Sequence, residues 1–196
     1  MRPRIKTGLL LLTILVGLSF YLSVIGCGQS KSEQEPLEED FVMPSIAEEV
    51  VITRCAPWLI DNPEDSSEVQ HNEVVNLIID HHWDLQQTSN GLFYKILKPG
   101  DGSSIAWGDR LKVDYTGYDT DLQAFQSSRQ RGQPFTFYLG NVIQGWNDGL
   151  PLIKVGGRII LLVPAYKGYS SKGFGSLVKP DQHLIFDIEV LEKIEE

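Results

Sequence analysis

Five short apolar segments follow one another in the C-terminal half of the chain, and their periodicity constrains the fold more than any other feature. They are residues 92–97, 111–117, 135–139, 159–163 and 184–191. The second and third alternate between apolar and polar side chains, which is typical of strands with one buried face. The fourth is apolar without a break, which predicts a central strand. A helical pattern covers residues 141–152. The sequence therefore predicts an α+β fold in which a half-barrel sheet wraps around one short helix.

Composition limits the class of protein and its partners. The chain has 196 residues, of which 42% are hydrophobic and 22% are charged, as in a globular protein. Its formal net charge of −9 repels phosphate backbones, so we expect no nucleic-acid partner. Two cysteines cannot form a disulfide framework or a four-thiolate zinc site.

The N-terminus has the layout of an export signal. Arg2, Arg4 and Lys6 precede an almost wholly apolar run over residues 8–25, which ends next to Cys27. This arrangement resembles the bacterial lipoprotein signal, in which the cysteine receives lipid and becomes the mature N-terminus. An uncleaved single-pass anchor is the alternative. We predict a signal peptide over residues 1–26, lipidation of Cys27 and an acidic flexible tether over residues 27–45.

These features predict a protein of the bacterial cell envelope, anchored by lipid on the extracytoplasmic side of a membrane. Gly28 follows the predicted lipidation residue, at the position where an aspartate commonly signals retention in the inner membrane. A glycine at this position, in place of the aspartate, favours the outer membrane.

Residues 46–90 form a predicted N-terminal extension with one helix near residues 68–83, which we expect either to pack on the following domain or to extend from it. Residues 50–52 favour a short strand, and residues 55–58 favour a turn. Cys55 is either a buried thiol or a partner for another molecule. The extension also holds His71, His81 and His82, but no carboxylate or thiol cluster completes a metal shell around them, so we expect no metal.

Six motifs in the C-terminal half occur in a fixed order. They are Tyr115-Thr116-Gly117, Phe125-Gln126-Ser127-Ser128-Arg129, Pro134-Phe135-Thr136-Phe137-Tyr138-Leu139-Gly140, Val142-Ile143-Gln144-Gly145-Trp146, Val155-Gly156-Gly157-Arg158 and Leu184-Ile185-Phe186-Asp187-Ile188-Glu189-Val190-Leu191. Together they resemble the FKBP-type peptidyl-prolyl cis–trans isomerase domain, over residues 91–194. The resemblance implies a twisted antiparallel half-barrel and assigns residues 91–196 to an isomerase domain.

The resemblance also implies a site. Trp146 would form the floor of a proline pocket, the Ile143 N–H would bind a substrate carbonyl, and the Tyr169 hydroxyl would donate to the carbonyl before the proline. The expected substrate-binding residues are Tyr115, Phe125, Gln126, Phe135, Val142, Leu177, Val178 and Phe186. Such a pocket needs no metal or cofactor. Its expected partners are proline-containing unfolded or exported proteins, the macrolide inhibitors of the family, and a membrane through the lipid anchor.

Two departures from the family pattern bear on rate and substrate choice. Gln126 stands where an acidic residue usually follows the phenylalanine, and the loop over residues 164–180 lacks the usual Ala-Tyr-Gly. Tyr169 matches the family tyrosine by ungapped counting, although Tyr166 lies close to it in sequence. We therefore keep two alternatives to an active isomerase: a binding or chaperone lipoprotein with little turnover, and a structural envelope lipoprotein with an inactive pocket.

Overall fold

The protein is described from a computed structural model, which covers residues 41–195. The predicted signal peptide, Cys27 and most of the predicted tether lie outside these residues. The described residues form one compact unit of helices packed on a seven-stranded sheet. None of the helices among them is long and apolar enough to cross a membrane.

The sheet is antiparallel throughout and confirms the predicted fold class. Its strands are β1 (Gln86–Gln87), β2 (Phe93–Lys98), β3 (Arg110–Tyr118), β4 (Ala124–Ser127), β5 (Phe135–Tyr138), β6 (Arg158–Val163) and β7 (Leu184–Ile194). The order is β1-β2-β6-β7-β3, after which β4 and β5 pair with opposite ends of β3. The short strands β1 and β4 were not predicted, because neither has enough apolar residues to show a period.

One short helix, α3 (Gln144–Gly149), packs in a core on one face of the sheet and is followed by the 3₁₀ turn Leu150–Leu152. Two glycines, one turn apart, allow this close approach. A Cβ on Gly145 would lie 2.6 Å from a methyl carbon of Val163, and one on Gly149 would lie 2.6 Å from a methyl carbon of Leu161. Since real Cβ contacts are never so short, a side chain at either position would push α3 away from β6.

The apolar strand β6 is buried on both faces. Ile159, Leu161 and Val163 point into the core that contains α3, whereas Ile160 and Leu162 belong to a second core on the other face. That second core is supplied by the N-terminal extension, chiefly by Val51, Cys55, Val74, Val75 and Ile78. The unbroken apolar run at residues 159–163 is therefore required by two cores.

The extension consists of α1 (Glu48–Cys55), the 3₁₀ turn Ala56–Trp58 and α2 (Ser66–Asp80). The predicted strand at residues 50–52 is wrong, because Val51 and Cys55 lie one helical turn apart and are both fully buried on the sheet. The predicted helix near residues 68–83 begins and ends earlier. Asp65 caps its N-terminus by accepting hydrogen bonds from the N–H groups of Ser67 and Glu68, at 2.8 and 3.0 Å.

The last residues of the predicted tether, 41–45, pack on the domain. Phe41 stacks on Tyr118 with ring centroids 4.2 Å apart, and Met43 is buried in the second core. Residues 41–45 of the predicted tether are therefore part of the folded unit, because Phe41 and Met43 pack their apolar side chains against it.

Candidate functional site

A cavity of about 630 Å³ opens beside α3. It is lined by Tyr115, Gln126, Arg131, Phe135, Asn141, Val142, Ile143, Trp146, Tyr169, Phe174 and Phe186. These residues come from β3, β4, β5, α3, β7 and the loops between them. The lining combines an aromatic interior with a few polar groups, which is the usual make-up of a site for a small or partly apolar ligand.

Trp146 is the centre of the aromatic cluster and is 3% exposed. Its ring meets those of Tyr115, Phe137 and Phe186 edge-on, with centroids 5.1, 5.4 and 5.4 Å apart. Such edge-to-face contacts fix the position of each ring as well as burying area. The buried indole Nε1 has no hydrogen-bond partner among residues 41–195. Trp146 thus supplies a rigid apolar surface at the base of the cavity.

The chain before α3 is braced by one buried amide. The Asn147 Oδ1 accepts a hydrogen bond from the Gly140 N–H at 2.8 Å, and its Nδ2 donates to the Val142 carbonyl at 3.0 Å. These bonds hold the backbone that leads to Ile143, the N-cap residue of α3. In the described part of the chain the Ile143 N–H has no acceptor. A backbone donor therefore stands on the cavity wall, available to a ligand carbonyl.

Tyr169 lines the cavity from the loop after β6. Its ring stacks on Phe174, with centroids 4.9 Å apart and planes 21° from parallel. Burial, and to a lesser extent the neighbouring Tyr115, raises the pKa of the Tyr169 phenol above its usual range. The hydroxyl therefore stays protonated at neutral pH and can donate one hydrogen bond.

Tyr166 lies elsewhere. Its hydroxyl donates to the Gly91 carbonyl at 3.4 Å, and its ring lines a second cavity of about 430 Å³ beside the N-terminal extension. Of the two tyrosines that the sequence left in competition, Tyr169 is the one on the main cavity.

A buried ion pair connects the Tyr169 loop to α3. The Lys167 Nζ lies 2.9 Å from Asp148 Oδ2, and the two side chains are 9% and 11% exposed. The other oxygen, Asp148 Oδ1, accepts a hydrogen bond from Gln144 Nε2 at 2.6 Å. Lys167 is two residues from Tyr169 and Asp148 is two from Trp146, so this pair joins the two segments that carry these lining residues.

The structure places eight of the eleven predicted pocket residues around this cavity: Tyr115, Gln126, Phe135, Val142, Ile143, Trp146, Tyr169 and Phe186. Three do not line it. Phe125 packs behind the wall against Phe186, with centroids 6.0 Å apart. Leu177 is 44% exposed, whereas Val178 is 2% exposed and belongs to the core. The predicted lipidation residue, Cys27, lies outside the described residues.

Three lining residues were not predicted. Arg131 and Asn141 flank the motifs around Phe135 and Ile143, so sequence position alone could have pointed to them. Phe174 comes from the loop that departs from the family pattern, and no periodicity marks it. Residues 41–195 contain no group of three or more His, Cys, Asp or Glu side chains that could hold a metal ion.

The chain is similar to known proteins over its C-terminal half. Residues 102–191 match the family model described as FKBP-type peptidyl-prolyl cis-trans isomerase. A probable FKBP-type peptidyl-prolyl cis-trans isomerase of Haemophilus influenzae is 44% identical over 109 residues, which are 56% of this chain and 45% of the relative. The FK506-binding protein 1 of Yarrowia lipolytica is 40% identical over 104 residues, which are 52% of this chain and 96% of the relative.

Among solved structures, the crystal structure of FkpA from Escherichia coli matches with a TM-score of 0.57 and 29% identity, over 74% of this chain and 63% of that one. Among the curated relatives, the matched region covers less than half the length of the Haemophilus protein and nearly the whole length of the Yarrowia protein.

Proposed function

Because the chain belongs to the family of FKBP-type peptidyl-prolyl cis–trans isomerases, we propose that it accelerates cis–trans isomerisation of X–Pro bonds in unfolded or exported proteins. The observation that carries this proposal is the cavity itself: an aromatic base at Trp146, an unpaired backbone N–H at Ile143 and a protonated hydroxyl at Tyr169 surround one space.

The reaction needs binding, not covalent chemistry. Rotation about the C–N bond of a peptide crosses a barrier of about 18–20 kcal/mol, because resonance gives that bond partial double-bond character. The twisted amide at the top of the barrier has lost this resonance and its charge separation. An apolar space therefore favours the twisted form over the planar ones relative to water, and only such differential binding raises the rate.

The lining residues fit this task. We propose that the proline ring rests on Trp146, with Tyr115, Phe135, Val142 and Phe186 as walls. The Ile143 N–H holds a substrate carbonyl, and Tyr169 donates to the carbonyl before the proline. Gln126 lies on the wall and Leu177 on the nearby surface. Phe125 and Val178 support the pocket from behind.

An isomerisation assay on a short Leu–Pro peptide tests the proposal, with two tryptophan variants as a matched pair. Trp146→Leu removes the base of the cavity, so kcat/KM should fall by a large factor. Trp107 is 72% exposed and does not line the cavity, so Trp107→Leu should leave kcat/KM unchanged. Circular dichroism checks that both variants fold. Tight peptide binding without turnover by the wild type would instead support the binding or chaperone alternative.

We also propose that the macrolide inhibitors of the family bind in this cavity. Its volume and aromatic base suit a large, mostly apolar ligand, and the Yarrowia relative is called an FK506-binding protein. FK506 should quench the fluorescence of Trp146 and inhibit the wild type. Retention of the same quench in Trp146→Leu would contradict this assignment.

The N-terminal segment supports a proposed location. We propose that Cys27 is lipidated after removal of residues 1–26, which anchors the protein to a membrane of the bacterial envelope on its extracytoplasmic side, with the outer membrane favoured by Gly28. The two cysteines of the chain provide the test. Cys27→Ser should abolish incorporation of labelled palmitate, whereas Cys55→Ser should retain it. Equal labelling of both variants would refute the anchor.

A further inference from the structure

The cavity has one charged side chain. Of the eleven lining residues in the described part of the chain, Arg131 alone carries a formal charge. The other polar groups are uncharged: the amides of Gln126 and Asn141, the hydroxyls of Tyr115 and Tyr169, the Ile143 backbone N–H and the Trp146 indole N–H. A ligand in this space therefore meets a single positive charge and no carboxylate.

Arg131 is not neutralised by the protein. It is exposed, and it forms no ion pair or hydrogen bond with another residue among 41–195. Arg129, two residues earlier, behaves differently. Its guanidinium lies 3.5 Å from Asp187 and donates to the Asp187 carbonyl at 3.2 Å, so it is part of the sheet's internal structure. The guanidinium of Arg131 is left for a group outside the chain.

We propose that Arg131 makes the site selective for X–Pro segments with an acidic side chain within one or two residues of the proline. The proposal rests on the proposed prolyl isomerase function and names its substrate class. The proline ring itself occupies the apolar base, so the charge is met by a neighbouring side chain. A guanidinium binds a carboxylate through two parallel hydrogen bonds.

Two series of peptides test this. In the first series the residue before the proline is Glu, Gln or Lys, and in the second the residue after the proline is varied in the same way. The kcat/KM of every peptide is measured at low salt. An exposed charge pair is worth about 0.2–1 kcal/mol, so attraction of Glu and repulsion of Lys together should give the Glu peptide a kcat/KM about two- to thirtyfold that of the Lys peptide in at least one series. The ratio should shrink toward one in about 1 M salt, where the Debye length is about 3 Å.

Three variants assign the effect. Arg131→Gln should abolish the Glu-to-Lys ratio. Gln126→Glu adds a carboxylate to the same cavity and should also reduce the ratio while leaving Arg131 in place. Arg110→Gln is the matched control, because Arg110 lies over the Tyr138 ring, away from the cavity, and should keep the wild-type ratio.

Dissociation constants for the same peptides, from fluorescence anisotropy, separate this proposal from the proposed function. If no peptide is turned over but the Glu peptide still binds more tightly than the Lys peptide in an Arg131-dependent manner, the selectivity stands and the isomerase function falls. Equal binding and equal kcat/KM for Glu and Lys in both series, or an unchanged ratio in Arg131→Gln, would overturn the selectivity.

Discussion

The buried pair Lys167–Asp148 should control both stability and the position of Tyr169. At 2.9 Å and an effective dielectric constant of about 20, the attraction between the two charges is about 6 kcal/mol. Desolvation of two charges that are about nine-tenths buried offsets part of it. Lys167→Met keeps most of the side-chain volume but leaves Asp148 with the Gln144 amide as its one remaining partner among residues 41–195. We expect a loss of about 3 kcal/mol in the free energy of unfolding.

Removing the other partner, and then both partners together, separates the interaction energy of the pair from the effect of each side chain alone. Asp148→Asn should cost about as much as Lys167→Met, because it leaves a buried cation. The double variant should cost no more than either single one, which corresponds to a coupling of about 3 kcal/mol. Urea unfolding measures these values. Lys172→Met, an exposed lysine on the same loop, is the control and should change stability by less than about 0.5 kcal/mol.

The same variants report on the site. Since Lys167 holds the loop that carries Tyr169, Lys167→Met should lower kcat/KM at least as much as removal of the Tyr169 hydroxyl, measured where the variant is fully folded. If Lys167→Met and Lys172→Met are equal in unfolding free energy and in kcat/KM, the coupling of the loop to α3 is refuted.

Three further predictions concern single side chains. Tyr169→Phe removes one neutral hydrogen bond to a substrate carbonyl and should lower kcat/KM about two- to twelvefold, whereas Tyr166→Phe should leave it within error; the reverse pattern in the peptide assay would contradict the site. Burial raises the pKa of Cys55 to about 11, so in Cys27→Ser this thiol should not react with a disulfide reagent at pH 8 until the protein is unfolded. Burial, opposed in part by Glu73, lowers the pKa of His183 below its ordinary 6.5. As pH falls, the unfolded state therefore takes up the proton at a higher pH than the folded state does. The fold should keep its full stability above about pH 6.5 and lose stability as pH falls below that value. His183→Asn keeps an acceptor for the Ala165 N–H and should lose that pH-dependent step in thermal unfolding.

The central strands could be predicted because their periods reflect burial on one face or both. The run at residues 159–163 serves two cores, and the alternation at residues 111–117 serves one. Helix α1 could not be read in the same way. The β-branched residues Val50, Val51 and Ile52 favour a strand locally, but only Val51 is buried, and its packing on the sheet decides the conformation.

The pocket was predictable where motifs lie on regular elements and not in the long loop after β6. Trp146 and Phe186 have fixed places on α3 and β7. Around Phe174 the backbone depends on Gly173, which has φ of 62° and where a Cβ would lie 2.4 Å from the Val178 carbonyl oxygen. This turn places Phe174 at the cavity and Val178 in the core. Because the loop has no periodic pattern of apolar residues, neither position could be predicted from the sequence.

Exchange NMR on a proline peptide tests the central claim most directly, because one sample reports both the catalysed isomerisation rate and the site where the peptide binds. With a small amount of the full chain, the cis and trans signals of the peptide should exchange far faster than the uncatalysed tens of seconds. Addition of peptide should shift the indole N–H signal of Trp146 and not that of the exposed Trp107. A folded protein that gives no exchange above the uncatalysed rate, with the Trp146 signal unmoved by excess peptide, would contradict the account.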